Sequence, residues 1–231
     1  ALEQHGRHAP LFTDSLLMGE IARRAEESLG ATALFAPLQW LGNSHHHLDF
    51  PGTLSAEPRL YIDLLNGLLE NFIAHGFRRL LILNGHGGNS ALLNVANREL
   101  RLAHGLMTFV THPGVPADQG GASPADELGM GVHGGTDETS IMLHLAPHLV
   151  NLALAQRRVP EALALNTYVR FGGRVSFGWM SNDFFPDGYI GDPTAATAEL
   201  GRQLFDGAVR GFGEALREIS TFNFGRPVAG T

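Results

Sequence analysis

Apolar residues recur along the chain with two different periods. From Arg59 to His75, Leu60, Leu64, Leu65, Leu68 and Phe72 return at three- and four-residue steps, which predicts a helix stopped by Gly76. Arg79–Leu83 (RLLIL) is an unbroken apolar run, which predicts a buried strand. Asn89–His104 reads as a second helix ended by Gly105, and Leu106–Thr111 as another strand. Thr136–Leu145 is helical ahead of Pro147, and Asp192–Ile219 forms a long C-terminal helix. Ala33–Leu38 (ALFAPL) predicts one more short buried strand. Strands separated by helices predict an α/β fold: a three-layer sandwich whose mainly parallel central sheet is flanked by helices. No repeat or linker interrupts the pattern, so residues 1–231 read as one domain. Two stretches, 113–135 and 171–191, lack periodicity, and loops of that length in a compact domain are usually functional or disordered.

Composition narrows the chemistry. Apolar residues make up 44% of 231, enough to fill a core. Sixteen basic against 23 acidic residues give a net charge of −7, which argues against nucleic acid or an anionic membrane as partner. No apolar run approaches the roughly 18 residues of a membrane span, and the start lacks the basic-then-apolar form of a signal peptide. A cytoplasmic protein acting on a small molecule is the expectation. Cysteine is absent, which excludes disulfides, a thiol nucleophile and thiolate metal sites. Any metal must be held by imidazole nitrogen and carboxylate oxygen, and the chain has twelve histidines.

Four segments could carry that chemistry. In Glu3-Gln4-His5, an extended backbone points residues 3 and 5 to one side, and Asp14 could join them from the next helix. The plainer account makes Asp14 the N-cap of a helix from Ser15. Asn84-Gly85-His86-Gly87-Gly88-Asn89 follows the strand RLLIL, at the carboxyl end where ligands collect in open α/β sheets. It lacks the phosphate-loop pattern, and His86 is accessible between glycines. In His133-Gly134-Gly135-Thr136-Asp137-Glu138, the acids could merely complement a helix dipole, while His133 is free to act as a general acid or base. In His45-His46-His47, three neighbours cannot all face one metal from a strand, so at least two read as solvated. There is no HExxH zinc helix and no GxSxG elbow, which leaves His, Asp and Glu and favours metal-activated water.

Taken together, EQHGRHAPLFTD (3–14), HHLDFPGTLS (46–55), NGHGGNS (84–90), HGGTDETSIMLHLAPHLV (133–150) and GDPTAATAELG (191–201) resemble the creatininase family, in family order and over nearly the whole chain. The resemblance implies two divalent ions (Zn, Mn or Fe) and a homo-oligomer, in many members a hexamer. It places Glu3, His5, Asp14 and His86 on metal-ligand positions, with Asp14 as the bridge, and His133 on a catalytic position. Three departures stand out. The family's namesake has a ligand Glu two residues after the His of the NGH turn, where this chain has Gly88; Glu138 is the candidate that completes the site. The namesake encloses creatinine with tryptophans in the loop before its catalytic His, whereas residues 111–132 here contain none, so creatinine is not the expected substrate. In the family a strand leads into the EQH segment; its absence here suggests a longer natural N-terminus.

These observations lead to a dinuclear amidohydrolase acting on a non-peptide carbon–nitrogen bond, with His133 moving the proton and Gly87-Gly88 amides assisting the oxyanion. Other members of the family hydrolyse formamides, peptides or ring ketones. The alternatives are therefore hydrolysis of a ring-ketone carbon–carbon bond or C-terminal peptide processing at the same site. Phe171, Phe177, Trp179, Phe184, Phe185 and Tyr189 are read as packing or an oligomer contact for the most part, with an apolar pocket wall as the other role. Gly88 motivates a last alternative, a non-catalytic binding or assembly subunit.

Overall fold

The computed structural model describes residues 1–30, 33–113 and 125–225. Its principal elements are α1 (Thr13–Leu29), α2 (Pro58–Ala74), β1 (Arg79–Leu83), α3 (Ser90–His104), β2 (Met107–Thr111), α4 (Thr136–Leu145), the single turn α5 (Glu161–Ala164) and α6 (Ala198–Thr221). Among the described residues, β1 and β2 form a two-stranded parallel sheet, with Arg79 opposite Met107 and Leu83 opposite Thr111. The pair is joined by α3, the helical crossover that parallel neighbours require.

The alternation of side chains along β1 explains its unbroken apolar run. Leu81 and Leu83 pack into one cluster with Leu17, Met18 and Ile21 of α1 and Phe205, Phe212 and Leu216 of α6. Ile82 and Val110 face the opposite cluster, around Tyr61 of α2 and Leu93 of α3. A strand covered on both faces needs no polar alternation. The result is the expected layering of helices, parallel sheet and helices. A third cluster, Met130, Val132, Val159, Phe171 and Ile190, lies beneath the loop-rich half of the molecule.

Two expectations are corrected. Ala33–Leu38 has no regular structure, and Leu34 and Leu38 are exposed. No described strand pairs with it, and an apolar run without a ladder partner does not hold an extended register. The C-terminal helix begins at Ala198, six residues later than its pattern suggests. Asp192 instead caps a one-turn helix at Pro193–Ala195 by accepting from the Thr194 amide, and Thr197 caps α6 by accepting from the Leu200 amide at 3.2 Å. Residues 114–124 of the loop from 113 to 135 lie outside the described residues. No described helix is long and apolar enough to cross a membrane.

Candidate metal centre

The N-terminal segment is fixed in an extended form by its neighbours. Leu2 bridges Leu54, the Glu3 amide donates to the Leu11 carbonyl at 3.1 Å, and the Gln4 amide donates to Thr53 Oγ1 at 3.1 Å. Alternation then sends Glu3 and His5 to the same side, both 1% exposed. His5 Nδ1 donates to the Glu3 carbonyl at 2.8 Å. A carbonyl only accepts, so this contact places a proton on Nδ1 and turns Nε2 toward the carboxylates. That nitrogen faces Asp14 Oδ1 at 3.3 Å and Glu138 Oε2 at 4.0 Å.

Asp14 is not an N-cap. It lies inside the first turn of α1, and the capping position, Phe12, makes no side-chain bond. Its carboxylate is buried between two imidazoles, His5 on one side and His86 Nδ1, 2.9 Å from Oδ2, on the other. His86 is presented by the turn after β1. Asn84 shapes this turn by donating to the His86 carbonyl and accepting from the His86 amide. His86 Nε2 is 2.9 Å from the Asn43 carbonyl and 3.0 Å from Glu3 Oε2.

His133 arrives from the far side of the chain, on an antiparallel bridge to Ile190. Its Nε2 donates to the Gln4 carbonyl at 2.6 Å, its Nδ1 faces Glu3 Oε1 at 3.6 Å, and its ring lies 4.1 Å from that of His5. Glu138, in the first turn of α4, accepts from the Gly134 amide at 2.6 Å and stands on the His5 side of the cluster. All six residues singled out in the sequence therefore meet in one place.

Three others join them. His46 and His47 do not lie in solvent, contrary to the sequence reading; they occupy a 3-10 turn, His45–His47, which lets two consecutive side chains turn inward. His47 is fully buried, with Nδ1 2.8 Å from Glu3 Oε1, and Nε2 donates to the Gly188 carbonyl at 3.0 Å. His46 Nε2 is 3.6 Å from Glu3 Oε1. Glu127 is buried behind the cluster, and its Oε1 accepts from the amides of Thr136 and Asp192, tying the start of α4 to the segment after Ile190.

Charge follows the same arrangement. Burial pushes the Glu3 carboxyl up, but the His86 imidazolium and bonds from His47 and His86 outweigh it and hold Glu3 well below its usual range. Asp14 is likewise held low against burial by His5 and His86. Burial disfavours charge on His5 and His86, yet Asp14 raises His5 to about 9, and Glu3 with Asp14 raises His86 to about 10. His133 moves the other way: burial, then the neighbouring His5 and His47, keep it neutral. Burial raises Glu138, partly offset by His5. Despite these neighbours, Glu3 Oε2, Asp14 Oδ2 and His5 Nε2 are buried without any aligned hydrogen bond. Three groups of ligand-type atoms, each within 4.8 Å, overlap here: Glu3–His46–His86, Glu3–His47–His133 and His5–His133–Glu138. Carboxylate and imidazole donors of this kind fit Zn, Mn or Fe.

The cluster lines a cavity of about 660 Å³. Gly87 and Gly88 form part of its wall, and Phe171, Phe177 and Trp179 form an apolar side. These three rings also pack on one another, so packing and pocket wall are the same surface. Tyr189 instead packs on His8 and donates to the Gln156 carbonyl, and Phe185 lies under Arg158.

Known proteins resemble this chain in sequence and fold. The sequence model described as Creatininase, creatinine amidohydrolase, matches residues 1–216. The creatinine amidohydrolase of Pseudomonas putida is 29% identical, covering 94% of this chain and 86% of its own. The mycofactocin precursor peptide peptidase of Mycobacterium tuberculosis (strain ATCC 25618 / H37Rv) is 34% identical, covering 88% and 76%. A solved structure described as "Creatininase Mn" superposes with a TM-score of 0.73 at 28% identity, covering 96% of this chain and 89% of that one. With a family model matched over most of its length and a buried carboxylate–imidazole centre, the chain belongs to the creatininase family of metal-dependent hydrolases.

Proposed function

We propose that this chain is an amidohydrolase that acts on a non-peptide carbon–nitrogen bond with two divalent ions, Zn, Mn or Fe. Glu3, His5, Asp14, His86 and Glu138 would hold the ions. The observation that carries this reading is the trio of buried atoms without an aligned hydrogen bond, Glu3 Oε2, Asp14 Oδ2 and His5 Nε2. Leaving such a group unsatisfied costs about 1–3 kcal/mol, and more when it is charged. Cations among them satisfy all three together. Bound ions would polarise the scissile carbonyl and acidify a water enough for it to attack at neutral pH.

The protein's own side chains do the rest. Asp14 reaches both His5 and His86, the geometry a bridging carboxylate needs. His133 is anchored through Nε2 and neutral, so Nδ1 can take a proton from the attacking water and return it to the leaving nitrogen. The Phe171, Phe177 and Trp179 wall excludes water and receives the non-reacting part of a small substrate. Only one tryptophan lines the cavity, and we do not assign creatinine as the substrate. The polar convergence also speaks against a purely binding subunit.

The M. tuberculosis relative favours a second reading, C-terminal processing of a small peptide at the same centre. Turnover of amides, ring ketones and short peptides by the metal-loaded chain separates the readings. Hydrolysis confined to amides supports the first; peptide cleavage without amide turnover replaces it with the second. Replacing Glu138 with Gln should cost one bound ion, and unchanged metal content would remove Glu138 from the ligand set.

A further inference from the structure

Gly88 sits two residues beyond His86 on the cavity wall. A β-carbon there would lie 2.6 Å from His86 Nε2 and 2.9 Å from His46 Cε1, and closer still to the carbonyl oxygen of Asn43. Real β-carbons do not approach other atoms within 3.0 Å. No side chain fits at position 88, so this turn cannot deliver a carboxylate. Glu138 does not reach this side either; its contacts are with His5 and the Gly134 amide.

One of the groups filling the space is itself a metal ligand by chemistry. The His46 ring stacks on His86 at 5.8 Å with an interplanar angle of 19°, and meets Trp179 edge-on at 5.2 Å. Its Nε2 is turned to Glu3, and ligand-type atoms of Glu3, His46 and His86 all lie within 4.8 Å of one another. Glu3 Oε2, in the same group, has no aligned donor.

We propose that His46 is the ligand that stands in for the side chain missing at Gly88, completing with Glu3 and His86 the site of one of the two ions. The inference rests on the dinuclear reading. It has a consequence for metal choice. An imidazole in place of a carboxylate removes one negative charge from the site and exchanges an oxygen donor for nitrogen. Nitrogen donors suit zinc, whereas oxygen donors suit manganese.

The test is metal stoichiometry and affinity, independent of turnover. Metal-free wild-type protein, His46→Phe and His46→Glu are each reloaded with Zn²⁺ or Mn²⁺ and analysed by elemental mass spectrometry and competition with a chelator. Phenylalanine keeps a ring against His86 and Trp179 but has no donor. Glutamate restores a carboxylate and serves as the readout where the phenylalanine variant fails to fold. The expected result is two zinc ions in the wild type and one in His46→Phe, with the second ion weakened at least about 10–100-fold, the loss typical of a group one shell further out. His46→Glu should keep two ions and shift its preference from zinc toward manganese. Two equally tight zinc ions in His46→Phe, or an unchanged metal preference in His46→Glu, would overturn the assignment of His46 alone. A wild type holding fewer than two ions would overturn the dinuclear reading and this inference with it.

Discussion

Asp14 stands between His5 and His86 with one oxygen toward each, and together with Glu3 it raises both imidazoles. In the metal-free chain His5 and His86 titrate at about 9 and about 10, so both carry protons at pH 7. A bound ion displaces those protons, so loading at pH 7 should release about two of them. Apparent affinity should rise as pH increases toward 9 and level off above about 10. Calorimetric zinc titrations in buffers of different ionisation enthalpy measure the release; an affinity independent of pH between 6 and 8 would contradict it. His133 calls for a different result. His133→Ala should lower kcat by about 10²–10⁴-fold, the usual contribution of a general acid–base, while metal content stays unchanged. Much of this centre was legible. Glu3, His5, Asp14, His86, His133 and Glu138 carry a recognisable family pattern, and the structure brings them together, five on one cavity wall and His5 beside Asp14 and His133. His46 and His47 were hidden because their orientation depends on a 3-10 turn that a run of histidines does not announce. Glu127 was hidden because its partners are backbone amides 9 and 65 residues away, which leave no side-chain signature.

Elements were legible where periodicity was strong and both flanks carried stop signals. Arg79–Leu83 and Thr136–Leu145 fall on their expected bounds. Asp192–Thr197 was misread as helix because Pro193 and two successive caps interrupt a stretch whose composition resembles the helix that follows. Ala33–Leu38 shows the reverse error, an apolar run without a neighbouring strand to pair with. The contact of α4 with α6 has its own requirement. At Gly201 a β-carbon would run into the backbone of Ser140, and Ser140 Oγ accepts from the Thr197 amide at 3.0 Å beside it. The two helices therefore touch backbone to backbone, behind the residues that place Glu138. Gly201→Ala should destabilise the fold by about 1–3 kcal/mol through overpacking, measured by urea unfolding. An unchanged midpoint would mean that α6 is free to shift away from α4.

At the scale of the molecule, α2 leaves Leu60, Leu64 and Leu68 exposed along one stripe, and Leu34, Leu38 and Trp40 are exposed elsewhere. An apolar stripe of this kind suits an interface, and we propose a homo-oligomer with α2 in contact between copies. Light scattering should give a particle heavier than the 24.8 kDa chain, and Leu64→Glu should reduce it. A wild-type monomer would refute the proposal. The family and its layered fold follow from patterns spread over the whole chain. The substrate depends on how a few aromatic rings close one side of a cavity. Catalysis itself depends on the metal. The most direct measurement is the divalent metal content of the untagged protein, purified without added metal and then reloaded with Zn²⁺ or Mn²⁺. About two ions per chain are expected. No tightly bound ion after reloading would contradict that expectation.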